Sequence, residues 1–565
     1  AEDYRILTAE VRVSGITNTT RMFYNCRNLK SIDLSGLKAG KVTDMSCMFE
    51  GCYALEELNL DGLNTANVTS MCYMFKNCRS LTVLDLRIFH TDRVQNMVSM
   101  FEGCKKLADL DVSSFHTGKT GYMESMFKGC VSLEKLDISN FDTGAMNSGM
   151  SANSMGNMFY GCTALKELNM CQIKAYDIHN LFSSCTALQS LKLRGSAENI
   201  GGIFKNCVNL KSLDLSEFDT SRITNMSELF SGCRSLTDLN LNDFKTGNVT
   251  NMEEMFFGCR SLTNLDVSSF DTGNVGNMGG MFEDCIALSS LDLSNFETGS
   301  VTNMQNMFKN CRSLDSLDLS SFTTEKVGGM AGMFQDCSSL TDLDISSFGE
   351  YMIKGPYDER RVQDMFSGCS SLTRLDLSHF RTAQSRDMSR MFFGCNSLTD
   401  LDVSGFDTGS AKNMSGMFAG CSSLTALQLG GFDTHLVEDM SGMFEGCSNL
   451  TDVNVSSFDI GFLKNMSRMF ADCEALTSLD LSSFQRPAVV NINRNADMTG
   501  MFSGCSSLVD LDMRNFNMDR IYSYVENLFA GCSSLSILYT PVNCVTKVPL
   551  PSQTGDQWKS ADGRI

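Results

Sequence analysis

Hydrophobic residues recur along this chain in two alternating patterns. The first is Leu-x-x-Leu-x-Leu-x-x-Phe, as in residues 314–322. Its Leu-x-Leu alternation predicts a short β-strand with one buried face. The second is Met-x-x-Met-Phe-x-x-Cys, as in residues 304–311. Its apolar residues lie three and four positions apart, which predicts one or two turns of helix with an apolar stripe.

The two patterns alternate through nearly the whole chain. The motif Phe-x-x-Cys-x-x-Leu occurs 20 times, and most copies are 26 residues apart. A unit of this size cannot bury its apolar residues alone, whereas stacked units share one continuous core. The sequence therefore predicts an α/β solenoid: a right-handed, leucine-rich-repeat-like superhelix of 20 coils, with one short parallel strand and one short helix per coil. We expect an N-terminal cap over 1–16, the solenoid over 17–540 and a C-terminal cap over 541–565.

These units resemble the BspA-like leucine-rich-repeat surface proteins and their bacterial 26-residue repeat. The resemblance rests on units such as residues 249–273, Val-Thr-Asn-Met-Glu-Glu-Met-Phe-Phe-Gly-Cys-Arg-Ser-Leu-Thr-Asn-Leu-Asp-Val-Ser-Ser-Phe-Asp-Thr-Gly, and covers residues 17 to about 540. The segment that contains Pro541 and Trp558 is similar to the one that closes such arrays in this family. The resemblance implies a secreted or cell-surface bacterial protein used for adhesion.

Irregular intervals between the motifs identify candidate binding loops. Three intervals have 32 residues, with the extra residues near 144–153, 349–360 and 485–495. The middle insert contains residue types that are common in binding hot spots, namely Tyr351, Tyr357, Arg360 and Arg361. The alternative is an insert that is tolerated because it contacts nothing. Two shorter intervals predict a local change of curvature around residues 171–206.

The repeated cysteines favour an interior role over chemistry. Each motif cysteine lies between an apolar Phe and an apolar Leu, so we expect a buried thiol that packs as a small apolar group. Stacked copies would point the same way, with their Cβ atoms wider apart than a disulfide prefers. Zinc sites need closely spaced ligands, and no Cys-x-x-Cys occurs. Cys47 and Cys72 lie outside the motif, about one unit apart, and are a possible disulfide pair.

An acidic column is the most unusual polar feature. The residue between the second and third leucines of the strand pattern faces outward, and it is Asp in 13 of the 20 copies and Asn in four. Stacked carboxylates repel, so they need cations, a bound ligand, or hydrogen bonds with the Ser two residues later. As contacts to a ligand we propose Asp266, Asp292 and Asp318. Where a second Asp precedes the first by two, weak calcium binding is an alternative to a solvated acidic face; these candidates are Asp109, Asp111, Asp342, Asp344, Asp400 and Asp402.

Charge and motif content narrow the functional class. The chain has 46 Lys and Arg against 66 Asp and Glu, a net charge of −20, which disfavours nucleic acid and anionic lipid as partners. No apolar run is long enough to span a membrane. The sequence also lacks a Gly-x-Ser-x-Gly elbow, a glycine-rich phosphate loop and a His-Glu-x-x-His helix.

We therefore expect a non-enzymatic extracellular adhesin or binding scaffold without a cofactor. Its acidic strand face and edge inserts would contact a host extracellular-matrix or cell-surface protein, or the surface of another microbe. Self-association is also possible. The alternatives are a structural stalk or filament subunit, and a cation- or carbohydrate-binding module.

Overall fold

The computed structural model describes residues 8–10, 13–144, 154–349, 360–481, 483–484, 496–514, 525–540 and 550. The chain divides into two compact units, residues 1–275 with 281–288, and residues 276–280 with 289–565. Each unit is a parallel β-solenoid that resembles a leucine-rich repeat, and together the units contain about 18 turns. The prediction of 20 coils is therefore wrong. A turn is complete only when the chain passes from one motif to the next, so the number of motifs exceeds the number of turns.

Short strands occur in most coils, and some coils contain two. The first unit contains β1 (Thr8–Glu10), β2 (Val13–Ser14), β3 (Ser31–Asp33), β4 (Leu37–Lys38), β5 (Glu57–Asn59), β6 (Val83–Leu84), β7 (Asp109–Leu110), β8 (Lys135–Asp137), β9 (Glu167–Asn169), β10 (Ile173–Lys174), β11 (Ser190–Ser196), β12 (Ser212–Asp219) and β13 (Asn264–Leu265). The second contains β14 (Ser290–Leu291), β15 (Arg360–Arg361), β16 (Arg374–Asp376), β17 (Ser385–Asp387), β18 (Asp400–Asp402), β19 (Ala426–Gln428), β20 (Asp452–Asn454), β21 (Ser478–Asp480), β22 (Asp510–Asp512) and β23 (Ile537–Tyr539).

Parallel pairing aligns equivalent positions of neighbouring coils. In the first unit the strands pair in the orders β1-β3-β5, β2-β4, β6-β7, β8-β9 and β10-β11-β12. In the second unit they pair as β15-β17, β16-β18, β19-β20 and β21-β22-β23. Between β16 and β18, for example, Leu375 lies opposite Leu401 and Asp376 opposite Asp402. Each outward position of the repeat therefore becomes a column of side chains.

The predicted helices are absent from the described part of the chain. In their place, the Met-Phe-Cys segments form successive turns that include left-handed backbone. Tyr73 has φ of 59° and Asn77 has φ of 62°, and the same two positions, five and one before the motif cysteine, have positive φ in all twenty motifs. Backbone N–H groups in these turns bond to the next coil and not along a helix. Phe75 N donates to Met100 O (2.9 Å), and Asn77 N donates to Glu102 O (2.7 Å). The Met spacing resembles that of a helix, but left-handed residues cannot continue one.

Phenylalanine rings fill the core of both units as stacks. Phe75, Phe101 and Phe127 belong to consecutive coils, and their ring centroids are 5.7 and 5.5 Å apart with the rings tilted by only 5°. A second stack contains the phenylalanine that ends each strand pattern, with centroids of Phe89 and Phe115 6.5 Å apart. All five side chains are buried. The prediction that the repeated aromatic residues are interior is confirmed.

The motif cysteines form a ladder of thiols inside the core. Cys104 Sγ donates to Phe75 O (3.1 Å), and Cys130 Sγ donates to Phe101 O (3.2 Å). The described motif cysteines after Cys26 are all buried, and burial raises the pKa of the Cys162 thiol to about 12. This confirms the prediction of packed, weakly donating thiols. Cys47 and Cys72 are free thiols and form no disulfide.

A ladder of buried threonines, which the sequence analysis did not identify, holds the loop after each strand. Thr246 Oγ1 donates to Asp271 O (2.8 Å) and accepts a bond from Asp271 N (2.8 Å). The hydroxyl thus satisfies two backbone groups of the next coil. The same position is buried at Thr65, Thr91, Thr117, Thr143, Thr220, Thr272, Thr298, Thr324, Thr382, Thr408 and Thr434.

The longest strands are β11, in the second of the two short coils, which lack this threonine, and β12, in the regular coil that follows it. β11 and β12 have 7 and 8 residues, and their pairing shifts register between Lys192 and Arg194. Gly195 is needed there because a Cβ at this position would lie 1.8 Å from Ile173 O. The change of curvature expected near residues 171–206 stays a prediction.

Candidate functional site

An open depression lies on the strand side of the first unit, within the consecutive coils that contain β7, β8, β9, β11 and β12. It has a volume of about 950 Å³. Alternate strand residues point outward, as in β8, where Lys135 and Asp137 are exposed and Leu136 is buried. Leucines form its floor, and its polar lining is Asp109, Asp111, Lys135, Asp137, Lys166, Glu167, Asn169, Ser190, Lys192, Ser212 and Asp214. We call this set the strand-side depression.

Both signs of charge meet in the strand-side depression. Lys135 Nζ lies 3.0 Å from Glu167 Oε2 in the next coil. Lys192 Nζ lies 3.0 Å from Asp214 Oδ2 and 2.7 Å from Glu217 Oε1, and these two carboxylates raise the pKa of Lys192. The Ser216 hydroxyl, together with Lys192 and the Ser216 N–H, lowers the pKa of Asp214 to about 2. The depression is therefore a lattice of exposed ion pairs that run between coils.

The sequence analysis did not identify the lysines of this depression as site residues. Lys192 is the only basic residue in the acidic column, and the sequence does contain this signal. Lys135 and Lys166 carry no such signal. Lys135 and Glu167 each lie five residues after a motif cysteine, so the repeat aligns them, but alignment alone does not show that they form an ion pair.

The predicted ligand contacts in the acidic column are all held by local hydrogen bonds. Oδ1 of Asp266, Asp292 and Asp318 accepts a bond from the backbone N of the serine two residues later, at 3.0, 3.0 and 2.9 Å. The Ser268 hydroxyl and N–H lower the pKa of Asp266. Bonds to the following serine are one of the three ways to offset stacked carboxylates, and they are present here. Binding of a partner by these residues stays a prediction.

The weak cation sites also stay predictions. Asp111, Asp344 and Asp402 bond in the same way to the N–H two residues later, at 2.9, 2.8 and 2.8 Å. Their neighbours Asp109, Asp342 and Asp400 are exposed. Among the residues that the structure describes, no group of three His, Cys, Asp or Glu side chains is placed to hold a metal ion.

The structure describes only some of the candidate contact residues in the middle insert. Tyr351 and Tyr357 lie outside the described residues. Arg360 and Arg361 form β15, whose backbone pairs in parallel with β17.

The acidic column predicts a stability loss in strong acid. The pKa values of Asp85 and Asp214 are lowered to about 2, and those of Asp111, Asp137 and Asp344 are also lowered. A carboxyl with a lowered folded-state pKa stabilises the fold fully above its unfolded pKa, near 4, and less as pH falls toward 2. The melting temperature should therefore be steady down to about pH 5 and fall between about pH 4 and pH 2.

A double variant provides the control. Asp111→Asn with Asp137→Asn keeps an oxygen acceptor for the serine N–H groups but removes two titrating carboxyls. We expect a shallower acid decline in this variant. A wild-type melting temperature that does not change between pH 4 and pH 2 would contradict the assignment.

One protein family matches this chain over most of its length. The family described as "Mycoplasma protein of unknown function, DUF285" matches residues 7–84, 82–194, 198–291, 264–354, 357–428 and 412–540. These segments cover most of the chain. The chain belongs to the DUF285 family. The DUF285 description states no activity and does not name the BspA-like family, so that finer assignment stays a prediction.

Solved structures similar to this DUF285 chain include several leucine-rich-repeat proteins. One from Bacteroides ovatus is 15% identical, with 96% of this chain and 94% of that chain covered and a TM-score of 0.26. A leucine-rich cell-surface protein from Faecalibacterium prausnitzii is 14% identical, with 80% and 88% covered and a TM-score of 0.23. The functional domain of InlJ from Listeria monocytogenes, whose description includes a cysteine ladder, is 16% identical, with 75% and 72% covered and a TM-score of 0.25.

The parallel strand pairing described above establishes the solenoid fold of each unit. No curated protein matches the DUF285 chain. Within its described residues, no helix is long and apolar enough to cross a membrane.

Proposed function

We propose that this DUF285 protein is a non-enzymatic extracellular scaffold that binds another macromolecule through the strand-side depression. The single observation that carries the proposal is the depression itself, where five consecutive coils present both signs of charge around a volume of about 950 Å³. A surface of this size and shape suits a protein partner with complementary charges. Its placement at a bacterial cell surface, and the term adhesin, come from the sequence resemblance.

Rigid presentation makes such a surface effective. Parallel pairing fixes the backbone beneath the depression, and the hydrogen bonds from Ser113 N to Asp111 and from Ser139 N to Asp137 fix two of the carboxylates. These carboxylates then have little conformational freedom left to lose on binding. Exposed ion pairs such as Lys135–Glu167 contribute only about 0–1 kcal/mol each, so a partner can replace them at small cost.

Repetition extends the contact beyond the depression. The acidic residues Asp266, Asp292 and Asp318 and the insert residues Tyr351, Tyr357, Arg360 and Arg361 are proposed as additional contacts. Many weak contacts along one chain give avidity without a deep pocket.

A charge-reversal experiment tests the proposal. The purified full chain would be measured against a panel of immobilised host matrix proteins and whole bacterial cells. For the best binder on the panel, Lys135→Glu with Lys192→Glu should weaken binding by about tenfold, because both substitutions place like charges in the depression.

The matched control is Lys119→Glu with Lys245→Glu, two exposed loop lysines of the same unit. This control makes the same change in net charge and should leave the affinity within about twofold. Equal losses in both variants, or a panel without any binder, would count against the strand-side depression. Circular dichroism of each variant establishes that it is folded.

A further inference from the structure

A line of basic and aromatic side chains lies away from the strand side, in the turns of the first four coils. The residues that directly follow the motif cysteine there are Arg27, Tyr53, Arg79 and Lys105, one per coil. The guanidinium carbon of Arg27 lies 5.3 Å from the centroid of the Tyr53 ring, and that of Arg79 lies 4.3 Å from it. Because Tyr53 belongs to the coil between them, the two guanidinium groups flank its ring. We call these four residues the basic ridge.

Among the residues that the structure describes, the arginines of the basic ridge have no acidic partner. Both are exposed, and within the described residues neither Arg27 nor Arg79 forms an ion pair with a carboxylate. Arg260 occupies the same position of a later coil and pairs with Asp284 at 2.8 Å. A guanidinium that stacks on an aromatic ring keeps its N–H edges directed away from the ring. The ridge thus presents two oriented, unpaired anion-binding groups, with centres no more than about 10 Å apart from the two ring distances.

Local charge supports an anionic ligand here. Residues 17–106 contain 11 Lys and Arg against 9 Asp and Glu, a local net charge of +2 in a chain whose total is −20. The basic ridge therefore lies in a part of the chain whose local net charge does not repel anions. A ligand that contacts only this part avoids most of the acidic surface.

We propose that the basic ridge binds a linear acidic polysaccharide that carries carboxylate or sulfate groups. The planar guanidinium fork matches such oxyanions with two parallel hydrogen bonds. The ridge is one side chain wide and follows successive coils, so a single thin polymer can lie along it. A large acidic protein, or a second copy of this chain with its charge of −20, would bring its other charges against the acidic remainder.

The same geometry disfavours single-stranded nucleic acid. Proteins that bind such strands stack bases on exposed aromatic faces. Guanidinium groups flank the Tyr53 ring on both sides, so the ring offers no free face for a base. This proposal goes beyond the protein-binding scaffold, since it concerns other residues and another ligand class.

The test uses the full chain with two probes, heparin for sulfate and polygalacturonate for carboxylate. At low salt we expect the wild type to bind at least one probe, with affinity that falls as salt rises. Arg27→Ala with Arg79→Ala should weaken that binding by about tenfold or more. Arg27→Lys with Arg79→Lys keeps the charges but removes the forks, and should give an intermediate loss.

Matched controls separate the basic ridge from general attraction. Arg234→Ala with Arg260→Ala removes the same charge at the same repeat position of two consecutive coils in the same unit, and should change the affinity less than about twofold. Lys135→Glu with Lys192→Glu should leave polysaccharide binding intact, which keeps this result distinct from the scaffold proposal.

Three results would overturn the proposal: no binding of either probe, equal losses in the two arginine double variants, or equally tight binding of a single-stranded DNA of similar charge. Binding of only one probe supports it and identifies the anionic group. Melting temperatures of all variants show whether each is folded.

Discussion

Replacing Phe101 with alanine is expected to lower the free energy of unfolding by about 3–5 kcal/mol. The Phe101 side chain is fully buried, and its ring stacks with Phe75 and Phe127 at 5.7 and 5.5 Å. Inter-coil backbone bonds, such as Phe101 N to Met126 O at 2.8 Å, fix the spacing of the coils. The surrounding residues therefore cannot collapse to fill the cavity, so the loss of stability includes the cost of an empty cavity.

Urea denaturation combined with hydrogen exchange measures this effect. Exchange should accelerate in the altered coil and in its neighbours on both sides, because each coil of a repeat array is stabilised mainly by adjacent coils. Phe393→Ala is the control, since the ring of Phe393 is 38% exposed. That variant should lose less than about 1 kcal/mol. A loss below about 1 kcal/mol for Phe101→Ala would contradict a core built from stacked rings.

Replacing Thr246 with valine is expected to cost about 1–3 kcal/mol although the two side chains have nearly the same shape. Thr246 Oγ1 both donates to Asp271 O and accepts from Asp271 N, each at 2.8 Å, and the threonine side chain is buried. Valine leaves both backbone groups of Asp271 without this partner, next to a buried side chain. The expected loss comes from desolvation, not from a cavity.

Two substitutions check that explanation in the same denaturation experiment. Thr246→Ser restores the hydroxyl and should recover most of the lost stability. Thr250→Val removes a bond to Thr224 O at an exposed position, where water replaces the hydroxyl, and should cost less than about 0.5 kcal/mol. If Thr246→Val and Thr250→Val cost the same, the threonine ladder is not the element that secures these loops.

The sequence was sufficient to predict the strands, the stacking and the interior. Alternation of period two identifies a strand with one buried face, and the leucines of β8 and β16 are buried as that pattern requires. The 26-residue spacing identifies equivalent positions, so the burial of Phe101 and Cys104 follows from the repeat. The bond from Ser268 N to Asp266 was also among the expected alternatives, because it depends only on residues two apart.

The backbone of the turns was predicted wrongly for a physical reason. Apolar residues three and four apart are typical of a helix, but in this chain the same spacing serves a coil whose N–H groups bond to the next coil. The sequence does contain a corrective signal. The residue before every motif cysteine is Gly, Asn, Asp or Ser, and the first three are the types that tolerate a left-handed backbone best, as at Asn77 and Gly103.

The strand-side depression and the basic ridge could be identified only from the structure. Lys135 and Lys192 form a site only because the register places Glu167 and Asp214 beside them. The repeat aligns these positions, but it does not specify that the aligned side chains form ion pairs. Similarly, the unpaired state of Arg27 and Arg79 depends on which side chains the neighbouring coils place nearby.

Thiol labelling of the native protein tests the central claim most directly, namely that the repeated Met, Phe and Cys residues are packed interior and recognition lies outside. We expect alkylation, followed by mass spectrometry, to modify the half-buried Cys26 and Cys72 first. Buried thiols such as Cys104 and Cys162 should stay unmodified until the chain unfolds, because burial excludes the reagent and raises their pKa values. Rapid modification of these buried cysteines in the folded protein, or their recovery as disulfides, would contradict the account.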